Sequence, residues 1–322
     1  MSDSTSNVDV AIIITHYKQY SYLINLLNYI SDNDDLNASE IIIIDDKSLA
    51  DEDLAKLVKS HPRYKFYRNE VNRGPSFSRN FGTNISTAKY IQFLDADDWI
   101  TPEKINVQYQ KAVALNFPSF ICSDWARVTF ESVYQNPELI QTYQPNLQEP
   151  TLINILVHFF PLMSGLILRQ DFIDINGFNE EMRLIEDVNL AIRLYNFKES
   201  FYYFKSDPLF FYRVNNPNSL SNSNELEFWK SNLINYKLCF DLAEKKYSLE
   251  KTKEYRSISF RVIWLIFLKS CEIKNKIFIN ESIEELHKTK RPINLAFKHG
   301  KTFLLTKLIG LKLTSKLLSI RK

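Results

Sequence analysis

The sequence predicts an α/β protein with an open, mostly parallel sheet flanked by helices, followed by an α-helical C-terminal region. Three observations carry this expectation. Apolar, β-branched runs recur through the first hundred residues, as strands buried on both faces require. Segments with apolar residues at helical spacing separate them, the alternation that parallel β-α-β units produce. Beyond residue 224, strand signals give way to helix-patterned stretches with only two glycines, Gly300 and Gly310.

In chain order, residues 8–14 form an apolar run interrupted only by Asp9, and Leu23, Leu26, Leu27 and Ile30 then repeat at helical spacing. Residues 41–44 are four isoleucines, which suits an interior strand. A short strand is expected at 64–67, a helix at 75–86 entered through Gly74 and Pro75, and another buried strand at 90–94. The next helix begins near Pro102 with Thr101 as its N-cap. Residues 120–130 read as strand material broken by Asp124, and 131–150 as irregular. A strand is expected at 163–168 and a helix at 187–197 with Val188, Ala191, Ile192 and Tyr195 as its apolar face. Short strands follow at 202–205 and 209–213, then a turn-rich region at 215–224 where a domain boundary falls.

Composition bounds the function. With 322 residues and 45% apolar content the chain can build a core, so a disordered protein is excluded. A net charge of +2 gives no global attraction to nucleic acid, and none is expected as a partner. Cys122, Cys239 and Cys271 lie far apart without zinc-site spacing, and the polar, acidic N-terminus is unlike a signal peptide, so a cytoplasmic location is expected. Residues 150–168 lack charged side chains but include Asn154, Pro161 and Gly165, and read as a buried helix followed by a strand.

In open parallel sheets ligands bind beyond the carboxyl ends of the strands. Three strands here end in Thr15-His16-Tyr17, Asp45-Asp46 and Asp95-Ala96-Asp97-Asp98. Carboxylates one residue apart at a strand end can converge on a hard divalent cation, with Asp97 as direct ligand and Asp95 on nucleotide or metal-bound water. A turn in which Asp98 caps the next helix is the alternative. Asp46 can accept hydrogen bonds from a base or ribose, or simply make an Asp/Ser turn. Arg79, one turn into its helix, can reach phosphate or make a salt bridge to one of those aspartates. Glu186 and Asp187 stand at a helix start, where one can cap while the other serves as a base. No Gly-rich dinucleotide loop or P-loop is present, which disfavours nicotinamide dehydrogenases and P-loop NTPases.

Together these residues resemble the bacterial family 2 glycosyltransferases, inverting enzymes of GT-A fold. The resemblance spans residues 8–223: the opening strand and nucleotide turn at 12–17, "DDxS" at 45–48, "NxGxxxxRNxG" at 72–82 and Asp-x-Asp at Asp95 and Asp97. It continues through the segments at 165–170 and 177–180 to Glu186 and Asp187. It implies a nucleotide-sugar site in which Thr15, Tyr17 and Asp46 contact the nucleoside, Arg79 the nucleotide, and Asp95 with Asp97 the ribose and a Mn²⁺- or Mg²⁺-bound diphosphate. Glu186 would contact substrate, and Asp187 would be the base that deprotonates an acceptor hydroxyl. Two departures stand out: Thr15-His16-Tyr17-Lys18 replaces the usual Pro-Thr-Tyr-Asn turn, and Lys47 replaces the Gly of "DDGS".

The expected function is therefore transfer of one sugar from a nucleotide-diphosphate sugar, UDP-sugar foremost, to a glycan or lipid-linked acceptor in surface polysaccharide synthesis. A non-catalytic nucleotide-sugar binder and a sugar nucleotidyltransferase are the alternatives. The implied organisation is a flexible 1–7, a GT-A domain over 8–223 and a helical region over 224–322. Residues 287–322 carry ten Lys and Arg and no Asp or Glu, interleaved with apolar residues. Such a tail can lie on the anionic inner face of the plasma membrane or dock on a protein partner.

Overall fold

The computed structural model describes residues 8–33, 38–129, 131–132, 134, 136–145, 147, 151–157, 162–214 and 224–288. The polar residues 1–7, the turn region at 215–223 and all of the basic tail except His287 and Lys288 lie outside the described residues.

From the N-terminus, β1 (Val10–His16), α1 (Tyr20–Ser31), β2 (Glu40–Asp45), α2 (Glu52–Ser60), β3 (Tyr64–Arg68), α3 (Pro75–Ile85) and β4 (Tyr90–Asp95) alternate. Then come β5 (Trp99–Ile100), α4 (Lys104–Ala114), β6 (Phe120–Ser123), β7 (Trp125–Val128), β8 (Leu139–Tyr143), α5 (Thr151–Val157) and, after a 3₁₀ turn, β9 (Gly165–Leu168). The remainder is α6 (Arg169–Asp174), α7 (Glu186–Phe197), β10 (Phe201–Phe204), β11 (Phe210–Arg213), α8 (Glu225–Lys246), α9 (Leu249–Ile273) and α10 (Lys276–Lys288). The described residues fall into two compact units. One spans residues 8–147 and 162–214, and the other combines 151–157 with 224–288.

The first unit is built on a seven-stranded sheet in the order β10-β6-β9-β4-β1-β2-β3. β4, β1, β2 and β3 run parallel, and β9 is antiparallel to both its neighbours. Every residue of β1 and β2 is buried, which is why both read as apolar runs rather than alternating ones. A second sheet, β5-β11-β7-β8, was not expected. Its β5 has only two residues and pairs with β11 more than a hundred residues away, so no local pattern announces it. Its edge strand β8 is largely exposed and lies in the stretch expected to be irregular.

Asp124 does divide β6 from β7, sending the chain from the first sheet to the second. The N-cap expected at Thr101 is not formed. α4 starts at Lys104 after Glu103, and the buried Thr101 hydroxyl has no hydrogen-bond partner. α4 instead anchors through fully buried Lys104, whose Nζ donates to Gln92 of β4 and, at 2.8 Å, to Gln108.

In the second unit α8, α9 and α10 bury Tyr236, Phe260, Trp264, Phe267, Phe278 and Ile283 in a common core. α5 belongs to this unit, where Tyr236 Oη donates to Leu156 O at 3.4 Å. Asn224 caps α8 by accepting the Glu227 N–H, and Lys274 ends α9 in the left-handed region. No helix among the described residues is long and apolar enough to cross a membrane.

Candidate active site

The carboxyl ends of β4, β1 and β2 lie side by side, with Thr15 opposite Asp95 on one flank and His16 opposite Asp45 on the other. The polar strand ends singled out in the sequence thus share one edge. Thr15 Oγ1 donates to Asp95 Oδ1 at 3.5 Å. Tyr17 projects beyond β1 and is 43% exposed.

Arg79 ties this edge together. Its helix α3 enters through Gly74, in the left-handed region, and Pro75 at the first turn, and it buries a face of small and polar residues: Ser76, Ser78, Arg79, Gly82 and Thr83. Gly82 lets α3 press on β1, since a Cβ there would meet Ile13 Cγ2 at 2.6 Å. The same helix face delivers the Arg79 guanidinium, which donates from Nη2 to Asp95 Oδ1 and from Nη1 to Glu186 Oε1, both at 2.7 Å. The salt bridge weighed as an alternative is therefore present, and it joins two carboxylates 91 residues apart in sequence. With Arg79 buried, removing it would leave the Asp95 and Glu186 carboxylates without their shared cation, a loss of at most about 3–5 kcal/mol.

Other motif residues of α3 hold the segment that precedes α7. Asn80 Oδ1 accepts the Phe178 N–H at 2.8 Å, and Ser76 Oγ donates to Met182 O at 3.1 Å. Gly177 has φ +58°, and a Cβ there would strike Asn80 Oδ1 at 2.4 Å. Arg169 Nε donates to Thr83 O at 3.0 Å, closing the far end of the helix.

Asp46 is turned inward. Its Oδ1 accepts from Asn69 Nδ2 at 2.8 Å and the Arg73 N–H at 2.9 Å, and its Oδ2 accepts the Gly74 N–H at 2.8 Å. These bonds make it the organiser of the loop that launches α3. Neighbouring Asp45 accepts from Ser48 N at 2.8 Å and Arg68 Nε at 2.6 Å. Lys47, in the place of the family's glycine, takes φ +69°, a conformation that costs a side-chain-bearing residue about 1–2 kcal/mol. Burial lowers the pKa of His16, whose ring nitrogens have no hydrogen-bond partner.

α7 starts with Glu186 and Asp187 in its first turn, as expected, but behind an unexpected Ile185 in the left-handed region at φ +58°. A β-branched residue there stores about 1–3 kcal/mol of strain, and such strain concentrates where side chains must be aimed. Glu186 binds Arg79, and Asp187 Oδ1 accepts the Val188 N–H at 2.8 Å. Burial and the Glu186 charge push the Asp187 carboxyl up to about 7, against the pull of Val188 N–H and Arg79.

Tyr212 lies on β11. Burial raises its phenol pKa, and so do the charges of Asp98, Asp95, Asp187 and Asp97. Asp98 is buried, accepts the Arg213 N–H at 2.8 Å, and is held well above the usual carboxylate range by burial and by Asp97 and Asp95. It is an anchor of the turn, neither a helix cap nor an exposed ligand.

Among the described residues no group of three or more His, Cys, Asp or Glu is arranged to cage a metal. Asp95 and Asp97 remain partly accessible at the strand end and supply two hard oxygen donors. That set fits Mg²⁺ or Mn²⁺, which bind through one or two carboxylates and take water and phosphate oxygens for the rest. The acidic excess around Arg79 points the same way.

The family model for glycosyl transferase family 2 matches residues 11–174, half of the chain. The chain belongs to the family 2 glycosyltransferases. An uncharacterised glycosyltransferase of Rickettsia conorii is 26% identical over 195 residues, 59% of this chain and 30% of that protein. A putative glycosyltransferase of Bacillus subtilis, EpsH, is 26% identical over 64% of this chain and 60% of its own length. The matches thus cover under a third of the Rickettsia relative. Among solved structures, Staphylococcus aureus TarS 1–349 with UDP superposes with a TM-score of 0.67 at 15% identity, covering 97% of this chain and 90% of that one. TarS 1–349 with UDP-GlcNAc gives 0.59 at 16% identity over 88% and 90%. Likeness at this identity is likeness of fold, and the fold is GT-A.

Proposed function

We propose that this family 2 glycosyltransferase catalyses inverting, metal-dependent transfer of one sugar from a nucleotide-diphosphate sugar, foremost a UDP-sugar, to a hydroxyl of a glycan or lipid-linked acceptor. The observation that carries the reading is the Asp95–Arg79–Glu186 bridge, which sets the Asp-x-Asp turn beside the first turn of α7 and Asp187. The UDP donor is supported by the UDP and UDP-GlcNAc complexes of TarS. The setting in surface polysaccharide synthesis rests on the family resemblance alone.

In this reading Asp187 takes the proton of the acceptor hydroxyl as its oxygen attacks the anomeric carbon, and the bond to the nucleoside diphosphate breaks on the opposite face. One displacement inverts the configuration and needs no enzyme nucleophile. A carboxyl with pKa near 7 is matched to accepting a proton at neutral pH. Asp95 and Asp97 would hold the cation, which supplies compensation for charge growing on the leaving diphosphate. Arg79 keeps Asp95 and the α7 N-terminus in register, and Tyr17 offers an exposed ring at the nucleoside end of the edge.

UDP release from UDP-hexoses tests the assignment. Asp187→Asn should lower turnover at least about a hundredfold while UDP affinity stays within about twofold. Unchanged turnover would remove Asp187 from the base role, and a protein that only binds nucleotide sugar would show no turnover to lose.

A further inference from the structure

The Asp-x-Asp turn is gripped at both ends. Arg79 holds Asp95 from α3, and a second arginine reaches the other end from the second sheet. Arg213, the last residue of β11, donates its backbone N–H to Asp98 Oδ1 and its Nε to the Asp97 carbonyl, each at 2.8 Å. Its Nη1 donates to Ser132 O at 2.8 Å, and the guanidinium lies 4.9 Å from the centre of the Trp99 ring and 5.7 Å from that of Tyr22. β11 also pairs with the strand that leaves the turn, Phe211 opposite Trp99, and the Thr101 N–H donates to Leu209 O at 3.0 Å. The residue is buried, with its guanidinium turned onto these carbonyls and rings.

We propose that Arg213 is a positioning residue for the cation–diphosphate part of the donor site: it fixes the peptide from which the Asp97 carboxylate projects, without touching the donor itself. This rests on the donor site proposed above. A planar guanidinium can bond Asp97 O and Ser132 O at once while stacking on Trp99, and an ammonium group cannot reproduce that geometry. Residues that orient a ligating group in this way typically change metal affinity by about 10–100-fold when replaced.

The test is UDP binding by calorimetry with Mn²⁺ and with chelator, for the wild type, Arg213→Lys and Arg213→Gln. The measured quantity is the gain in UDP affinity that Mn²⁺ confers. In whichever variant folds, that gain should fall about tenfold or more while affinity in chelator stays within about twofold. An unchanged gain, or an equal loss in both conditions, overturns the proposal. So does failure of both variants to fold, which would make Arg213 a determinant of the fold. A wild type that binds UDP equally with and without Mn²⁺ also overturns it but leaves the donor reading standing, whereas a wild type that binds no nucleotide removes that reading itself.

Discussion

At the scale of single residues, Asp187 makes the sharpest prediction. A general base works ionised, and burial with the Glu186 charge raises its carboxyl to about 7. The pH profile of kcat/KM should therefore rise about tenfold per unit up to pH 7 and level off above it. A flat profile from pH 5 to 8 would contradict the assignment. Lys47 makes a stability prediction. At φ +69° it occupies a glycine conformation, so Lys47→Gly should leave stability unchanged or raise it by up to about 1 kcal/mol in urea unfolding. Lys47→Val should lower it. The sequence disclosed the acidic strand ends and the helix-start pair because chemistry demands those side chains at those places. It left Arg79 between phosphate and salt bridge, since one side chain can serve either from the same helix turn. It gave no sign that Asp46 accepts from Asn69, Arg73 and Gly74, because a carboxylate's partners lie in tertiary structure.

At the scale of elements, α3 is the part on which the site depends. Its motif residues divide the labour: Gly82 permits close approach to β1, Arg79 bridges the carboxylates, and Asn80 with Ser76 holds the chain that leads into α7. Gly82→Ala should cost about 1–3 kcal/mol by overpacking against Ile13. Combined with Ile13→Ala, the loss in chemical denaturation should be less than the sum of the single losses, and strict additivity would show that the contact is not limiting. Elements with strong periodicity or continuous burial, such as β1, β2, β4 and α7, were legible in the sequence. The second sheet was not: β5 has two residues and β8 is mostly exposed, so neither carries a pattern.

At the scale of the whole molecule, the net charge of +2 conceals an asymmetry. The tail from residue 287 contributes ten positive charges, leaving −8 over residues 1–286. The acidic body suits a site that uses cations, and we propose the tail as the element that meets an anionic membrane, at about 1 kcal/mol per basic residue near the surface. Cosedimentation with anionic vesicles should be lost when the chain ends at Arg291, and equal binding of both forms would sink the idea. The donor site is the claim on which the rest depends. Its most direct test is a thermal-shift series with UDP, GDP, dTDP and CMP, each with Mn²⁺, Mg²⁺ or chelator. A ligand at a hundred times its Kd stabilises by about 2.7 kcal/mol, so a real site gives a readable shift. The largest rise in Tm is expected with UDP plus divalent cation and a smaller one with UDP in chelator. Indifference to every nucleotide, with or without metal, would contradict that claim.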